Sequence, residues 1–319
     1  MAFKNVALLG ANGQIGNEIL HALVSCPEYK FNVLAFIRPG ASLNYNGDRQ
    51  HISIKHLDFF EAEIDEVASL LQGIDVLVSA LGGSTLPKQR LFQDAAAKAG
   101  VKRFFPSEFG MPSIVRLVDS DVGFLHPTWD LKMKCLEEAI KHPSIRDGRM
   151  SYTVIGCADN FDASREHLCN PWLRKNASDY TIHCVGNPDA KMDYTCIRDI
   201  SRYLVAAICR PDLSENRQLG FSGEYISFRE VGRLLETISG KPVTICTMSW
   251  DEAAQIIRDP SKAPKDMAGD STFPVDFLVA LRHVQGEGMM WRPPGQVNND
   301  QFPEVQQTTL AAYFTELFH

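Results

Sequence analysis

The chain has 319 residues, 45% of them hydrophobic and 22% charged, with 22 Gly and 17 Pro; this is enough apolar material for a large core and excludes a wholly disordered or fibrous chain. A formal net charge of -7 with no Lys/Arg run leaves nucleic acid no electrostatic footprint, so no nucleic-acid partner is expected. The opening residues MAFKNVALLG run straight into a strand and a glycine turn, and no later apolar stretch reaches bilayer length, so the expectation is a cytoplasmic protein with no membrane partner. From residue 5 to about 105, short apolar runs alternate with amphipathic segments, the pattern of a parallel sheet covered by helices. Strands are predicted at Val6–Leu9, Asn32–Phe36, Ile52–Leu57, Val76–Ala80, Arg103–Phe105 and Tyr152–Ile155, with helices near 14–24, 63–71, 88–99 and 129–142. These give six strands of a doubly wound sheet, whose carboxyl ends lie along one rim where such folds bind ligands.

Beyond Ile155 the alternation loosens, with Pro171, Pro188 and Pro211 punctuating shorter elements and an apolar helix from about Ile200 to Ile208. Phe228, Val231, Leu234, Leu235 and Ile238 stand at helical spacing before a short strand Val243–Cys246, which reads as a small α/β lobe. No element is assigned between 259 and 304, a stretch rich in Pro, Gly and polar residues whose cluster Met289, Met290 and Trp291 either lines a pocket or packs a core. The fold class is therefore α/β, a Rossmann-type doubly wound parallel sheet with a smaller C-terminal α/β substrate-binding region. Residues 1–156 are read as the cofactor-binding domain, with a returning segment near 180–208, and 157–319 as mainly substrate-binding. Eight cysteines, Cys26, Cys135, Cys157, Cys169, Cys184, Cys196, Cys209 and Cys246, contain no CxxC pair; they read as thiols of a reducing compartment and no metal site is expected.

The strand VALLG runs into Gly10-Ala11-Asn12-Gly13-Gln14-Ile15-Gly16 and the apolar helix face Ile15, Ile19, Leu20 and Leu23. In this spacing the first glycine permits a tight turn, the second lets the backbone approach a pyrophosphate, and the third allows helix to pack on strand. Gly10, Asn12, Gly13, Gln14, Ile15 and Gly16 are the candidate pyrophosphate corner. Where an NAD-specific fold carries an acid at the end of the second strand, this sequence reads Phe36-Ile37-Arg38; a guanidinium there suits a 2′-phosphate, so the expected cofactor is NADP(H), with the Ser42 hydroxyl a candidate for the same subsite.

GANGQIG, FIRPGAS, DVLVSALGG and above all VKRFFPSEFG followed by a helix beginning Asp130-Leu131-Lys132 resemble the isoflavone-reductase-like and NmrA-like branch of the atypical short-chain dehydrogenases, which includes phenylcoumaran benzylic ether and pinoresinol-lariciresinol reductases. SYTVIGCADNF, TCIRDISRYL and FPEVQQTTLAAYF carry the likeness through most of the chain. Like that family, the sequence has no tyrosine followed four residues later by lysine. The resemblance implies a catalytic lysine at the start of the helix after PSEFG, which is Lys132 or its competitor Lys134. Spacing favours Lys132, which shares a stripe with Cys135, Leu136 and Ala139, whereas Lys134 shares its face with Glu137 and Glu138.

Ser107 and Phe109, ending the fifth strand, are placed beside the nicotinamide and substrate, and Ser79, Leu81 and Gly82, ending the fourth, beside the ribose and pyrophosphate. Phe109, Phe161, Trp172, Met290 and Trp291 are the candidate substrate walls, while His126 and His167 are left outside the catalytic set. The reading that follows is an NADPH-dependent reductase, monomeric or homodimeric, moving a hydride to a small aromatic or polyketide-like molecule with Lys132 as general acid/base. The alternatives are a non-catalytic dinucleotide sensor of the NmrA kind and a non-redox isomerase on the same fold.

Overall fold

A computed structural model describes residues 3–111, 126–264, 267 and 271–319. The strands are β1 (Asn5–Leu9), β2 (Asn32–Ile37), β3 (Ile52–His56), β4 (Val76–Ser79), β5 (Arg103–Phe105), β6 (Ser151–Gly156), β7 (Asp159–Asn160), β8 (Tyr180–Val185), β9 (Lys191–Thr195), β10 (Arg217–Gly220), β11 (Glu224–Ser227) and β12 (Val243–Met248). The α-helices are α1 (Gln14–Val24), α2 (Ile64–Leu70), α3 (Gln89–Ala99), α4 (Pro127–Ile140), α5 (Pro143–Arg146), α6 (Ile197–Cys209), α7 (Pro211–Ser214), α8 (Phe228–Ser239), α9 (Trp250–Arg258), α10 (Val275–Gly286) and α11 (Leu310–Phe318).

Seven parallel strands form the main sheet in the order β10-β6-β5-β4-β1-β2-β3. The chain reverses its direction of winding between β1 and β4, and the crevice at that switch point is where a doubly wound sheet receives a ligand. The central strand β1 explains its unbroken apolar run: Val6 and Leu8 enter the core beneath α1 and α6, while Ala7 and Leu9 enter the core with Phe92 and Ala95 of α3. All four are fully buried.

Two features differ from the sequence reading. The sheet has a seventh strand, β10, because the return to the Rossmann half runs from Ile197 to Gly220 through α6 and β10; residues 180–185, expected near the start of that return, form β8 and pair with β12 in a separate two-stranded sheet. Within the stretch left without elements, Val275–Gly286 forms α10, and Phe277 to Arg282 of it are all buried. A helix enclosed on most sides shows no one-sided apolar stripe, which is why periodicity did not find it.

The C-terminal half closes around a core of its own. Trp172, Tyr180, Ile182, Phe228, Val231 and Leu235 pack with residues of α10 and α11, and β9 pairs with β7 and β11 in a three-stranded sheet. Asp162 stitches the halves together: its carboxylate accepts the backbone N–H groups of Ile197 at 2.7 Å and Arg198 at 3.4 Å, capping the N-terminus of α6 from a distant segment.

Candidate active site

The corner between β1 and α1 is built on close backbone approach. Gly10 sits at φ +79°, and a Cβ there would come 2.7 Å from the Ala80 carbonyl oxygen on the neighbouring strand end. A Cβ at Gly16 would collide with the carbonyl of Gly10 itself, so the helix can lie this close to the strand only with glycine. Gly13 donates its N–H to Gly10 O at 2.8 Å and stands at the N-cap of α1 without a side-chain cap, leaving the amides of the first turn to another acceptor. Asn12 fixes the facing loop by donating Nδ2 to Ser42 O and accepting from Asn44 N, each at 2.8 Å. Ile15 is half-buried in the same turn, and Arg38, next after the last residue of β2, is exposed on the rim.

A second segment borders this corner that sequence reasoning did not assign to it. The Arg165 backbone donates to Gln14 Oε1 at 2.7 Å, and its guanidinium lies 3.4 Å from Asn12 O. Glu166 next to it accepts from Gln14 Nε2 at 3.5 Å and from Thr272 N at 3.2 Å, and also from the hydroxyls of Ser271 and Thr272. Gln14 thus links the glycine corner to the C-terminal half.

Along the same rim, Ser107 donates its backbone N–H to Gln89 Oε1 at 2.7 Å and its hydroxyl to Leu81 O at 2.6 Å, tying the ends of β4 and β5. Ser79 is fully buried, Leu81 is 4% exposed, and Gly82 opens to the surface. Phe109 holds a left-handed backbone, φ +46°, pinned by its N–H to Ile155 O at 2.9 Å and by the Cys157 thiol on its own carbonyl at 3.1 Å. For a non-glycine residue that conformation costs on the order of 1 kcal/mol or more and persists only where the surroundings impose it.

The Glu108 carbonyl, one residue earlier, accepts from Lys132 Nζ. Lys132 is half-buried on the stripe of α4 that buries Cys135, Leu136 and Ala139, whereas Lys134 is exposed. Burial pushes the Glu108 carboxyl above the usual carboxylate range, with the charges of Lys132 and Arg292 pulling the other way, and its Oε2 is buried without a hydrogen-bond partner. Arg292 donates through Nη2 to Gly110 O at 2.9 Å and Cys157 O at 3.4 Å, while its backbone N–H donates to Asp193 Oδ2 at 2.7 Å. One lysine, one arginine and one buried acid therefore converge where β5 and β6 end. Glu108 and Arg292 had no role in the sequence reading; Glu108 was visible within FFPSEFG, but nothing in the chain order links Arg292 to it.

The candidate walls divide. Phe109 and Met290 are buried near this convergence, the Met290 carbonyl accepting from Asp193 N at 2.8 Å, and Trp291 is 42% exposed. Phe161 and Trp172 lie instead in the C-terminal core at 0% and 1% exposure: the Trp172 indole donates to Phe161 O at 2.9 Å and its ring meets Phe314 edge-on, so both pack as core. His126 caps α4 by accepting from Thr128 N and pairs with Asp276 at 3.1 Å, and His167 is half-buried. Among the described residues no cluster of His, Cys, Asp or Glu is arranged to hold a metal ion, and no helix is long and apolar enough to cross a membrane.

A doubly wound parallel sheet with a glycine corner at its switch point defines the class, a Rossmann-type α/β fold. The chain belongs to the NmrA-like family, whose model matches residues 3–273. It is similar to an NmrA-like family domain-containing oxidoreductase of Gibberella moniliformis, 24% identical over 98% of both chains, and to phenylcoumaran benzylic ether reductase PT1 of Pinus taeda, 22% identical over 98% of both. Among solved structures, the binary complex of leucoanthocyanidin reductase with NADPH from Vitis vinifera shares the fold at a TM-score of 0.74 and 17% identity, over 98% of this chain and 99% of that one.

Proposed function

We propose that the protein is an NADP(H)-dependent oxidoreductase that reduces a small aromatic or polyketide-like molecule, with Lys132 as the general acid/base. The observation that carries this reading is the single rim on which the Gly10–Gly16 corner, Arg38 and the half-buried Lys132 all stand, at the ends of β1, β2 and β5. The relatives named above, an oxidoreductase and a benzylic ether reductase, and the neighbour solved with NADPH support the same class of cofactor and reaction.

The cradle fits a dinucleotide. Backbone packs so closely at Gly10 and Gly16 that neither position has room for a Cβ, which draws the β1–α1 corner tight; the uncapped first-turn amides of α1 would face a pyrophosphate, and the Arg38 guanidinium would hold a 2′-phosphate through charge-assisted hydrogen bonds. When bound, the cofactor supplies the hydride. The chain supplies orientation, exclusion of water and a proton: Lys132 Nζ, held on the Glu108 carbonyl, gives a proton to the substrate oxygen and takes it back from solvent. Residues 1–156 with the return 197–220 form the cofactor side, and the rest of 157–319 encloses a small-molecule substrate; eight unpaired cysteines suit a cytoplasmic setting.

Lys132→Ala tests the assignment. Turnover should fall by roughly 10²-fold or more while NADPH affinity stays within about twofold. Unchanged turnover would remove Lys132 from the mechanism.

A further inference from the structure

Away from the rim, at the opposite end of α1, two of the eight cysteines meet. Cys26 lies two residues past the end of α1, Cys209 is the last residue of α6, and the two helices pack side by side on one face of the sheet. Their sulfurs are 3.9 Å apart across 183 positions of sequence, and both residues are half-buried, open to a small solute. We propose that Cys26 and Cys209 form a reversible redox couple that closes to a disulfide when the protein meets a hydroperoxide.

The two thiols are unlike each other and unlike the rest. The Cys209 thiol beside it, together with the backbone N–H groups of Tyr29 and Glu28, holds the Cys26 thiol down at about 6, against the opposing effects of burial and the Glu28 carboxylate. Cys209 is pushed up by its neighbour Cys26, by burial and by the charges of Glu28 and Glu304, so it keeps its proton. Burial pushes the thiols of Cys135, Cys157, Cys169, Cys184 and Cys196 up, and Cys246 is exposed. A nucleophilic thiolate next to a protonated resolving thiol is the arrangement of a peroxide-responsive pair.

The chemistry balances on the hydroperoxide. The Cys26 thiolate attacks the distal peroxide oxygen, breaking the O–O bond and forming a sulfenic acid, and hydrogen peroxide leaves as hydroxide, which becomes water on protonation. Cys209 sulfur then attacks the sulfenyl sulfur, losing its proton as the S–O bond breaks and a second water departs. Two thiols lose two electrons and two protons, and the peroxide is reduced to two waters. The bond would join the C-terminal ends of α1 and α6, about 16 Å along α1 from the glycine corner, so it leaves cofactor uptake intact.

The reduced full-length protein is treated with hydrogen peroxide at neutral pH, digested without reductant and mapped by mass spectrometry. The expected result is a cross-linked pair of peptides holding Cys26 and Cys209, lighter by two hydrogens and separated again by dithiothreitol; no such pair would overturn the proposal. Independently, the pH midpoint for alkylation of Cys26 should lie near 6 and rise toward about 8.5 in Cys209→Ala. An unmoved midpoint would equally overturn it.

Discussion

Lys132 and Glu108 pose a problem of charge in a confined space. The lysine is half-buried with its ammonium on a backbone carbonyl, while the acid of the same segment is buried and lacks a partner for Oε2. Because desolvation outweighs the attraction of Lys132 and Arg292, the folded Glu108 holds its proton more tightly than the unfolded chain does. Its contribution to stability is therefore full below the ordinary value of 4.5 and is lost as pH rises through the raised folded value. Glu108→Gln keeps the shape without the charge, so its melting temperature should match that of the parent near pH 4 to 5, roughly, and exceed it increasingly toward neutral pH. Thermal melts across that range check the sign; a variant that loses ground as pH rises would reverse the argument. At the other end of the rim, Arg38→Ala should weaken NADPH binding by about tenfold or more and leave NADH binding nearly unchanged, since only the former carries the 2′-phosphate.

At the scale of elements, the corner and the inter-half cap make the sharpest demands. Gly16→Ala sets a Cβ against the Gly10 carbonyl, backbone that cannot yield without moving β1 or α1. It should cost about 2 kcal/mol or more, seen as a melting temperature lower by roughly 4 °C or more, with NADPH uptake impaired as well. Asp162→Ala strips α6 of its cap and should cost about 1 to 2 kcal/mol, with hydrogen exchange rising first at the amides of Ile197 and Arg198. β1, its glycines and α1 were legible in the sequence because their constraints are local: a buried strand reads as an apolar run, and a close approach reads as glycine. β10 was not, since Arg217-Gln218-Leu219-Gly220 is short and half polar and becomes a strand only by pairing with β6. Asp162, Arg165 and Arg292 escaped for the same reason. Each acts on residues more than thirty positions away, and a lone polar residue in a loop carries no mark of the partner it will find.

For the molecule as a whole, the Rossmann half and the C-terminal half touch at the very residues that frame the glycine corner. Gln14 bonds to Arg165 and Glu166, and Glu166 reaches on to Thr272, so a ligand seated on α1 as proposed would bear on both halves. Saturation with NADPH should therefore stabilise the entire fold against denaturant, by about 2.7 kcal/mol at a hundredfold excess over Kd, in one cooperative transition. The direct measurement is calorimetric titration of the purified protein with NADPH and NADP+. Saturable uptake at a single site, weakened in Gly16→Ala and in Arg38→Ala, is the expected result; no uptake of either form would contradict the account at its root.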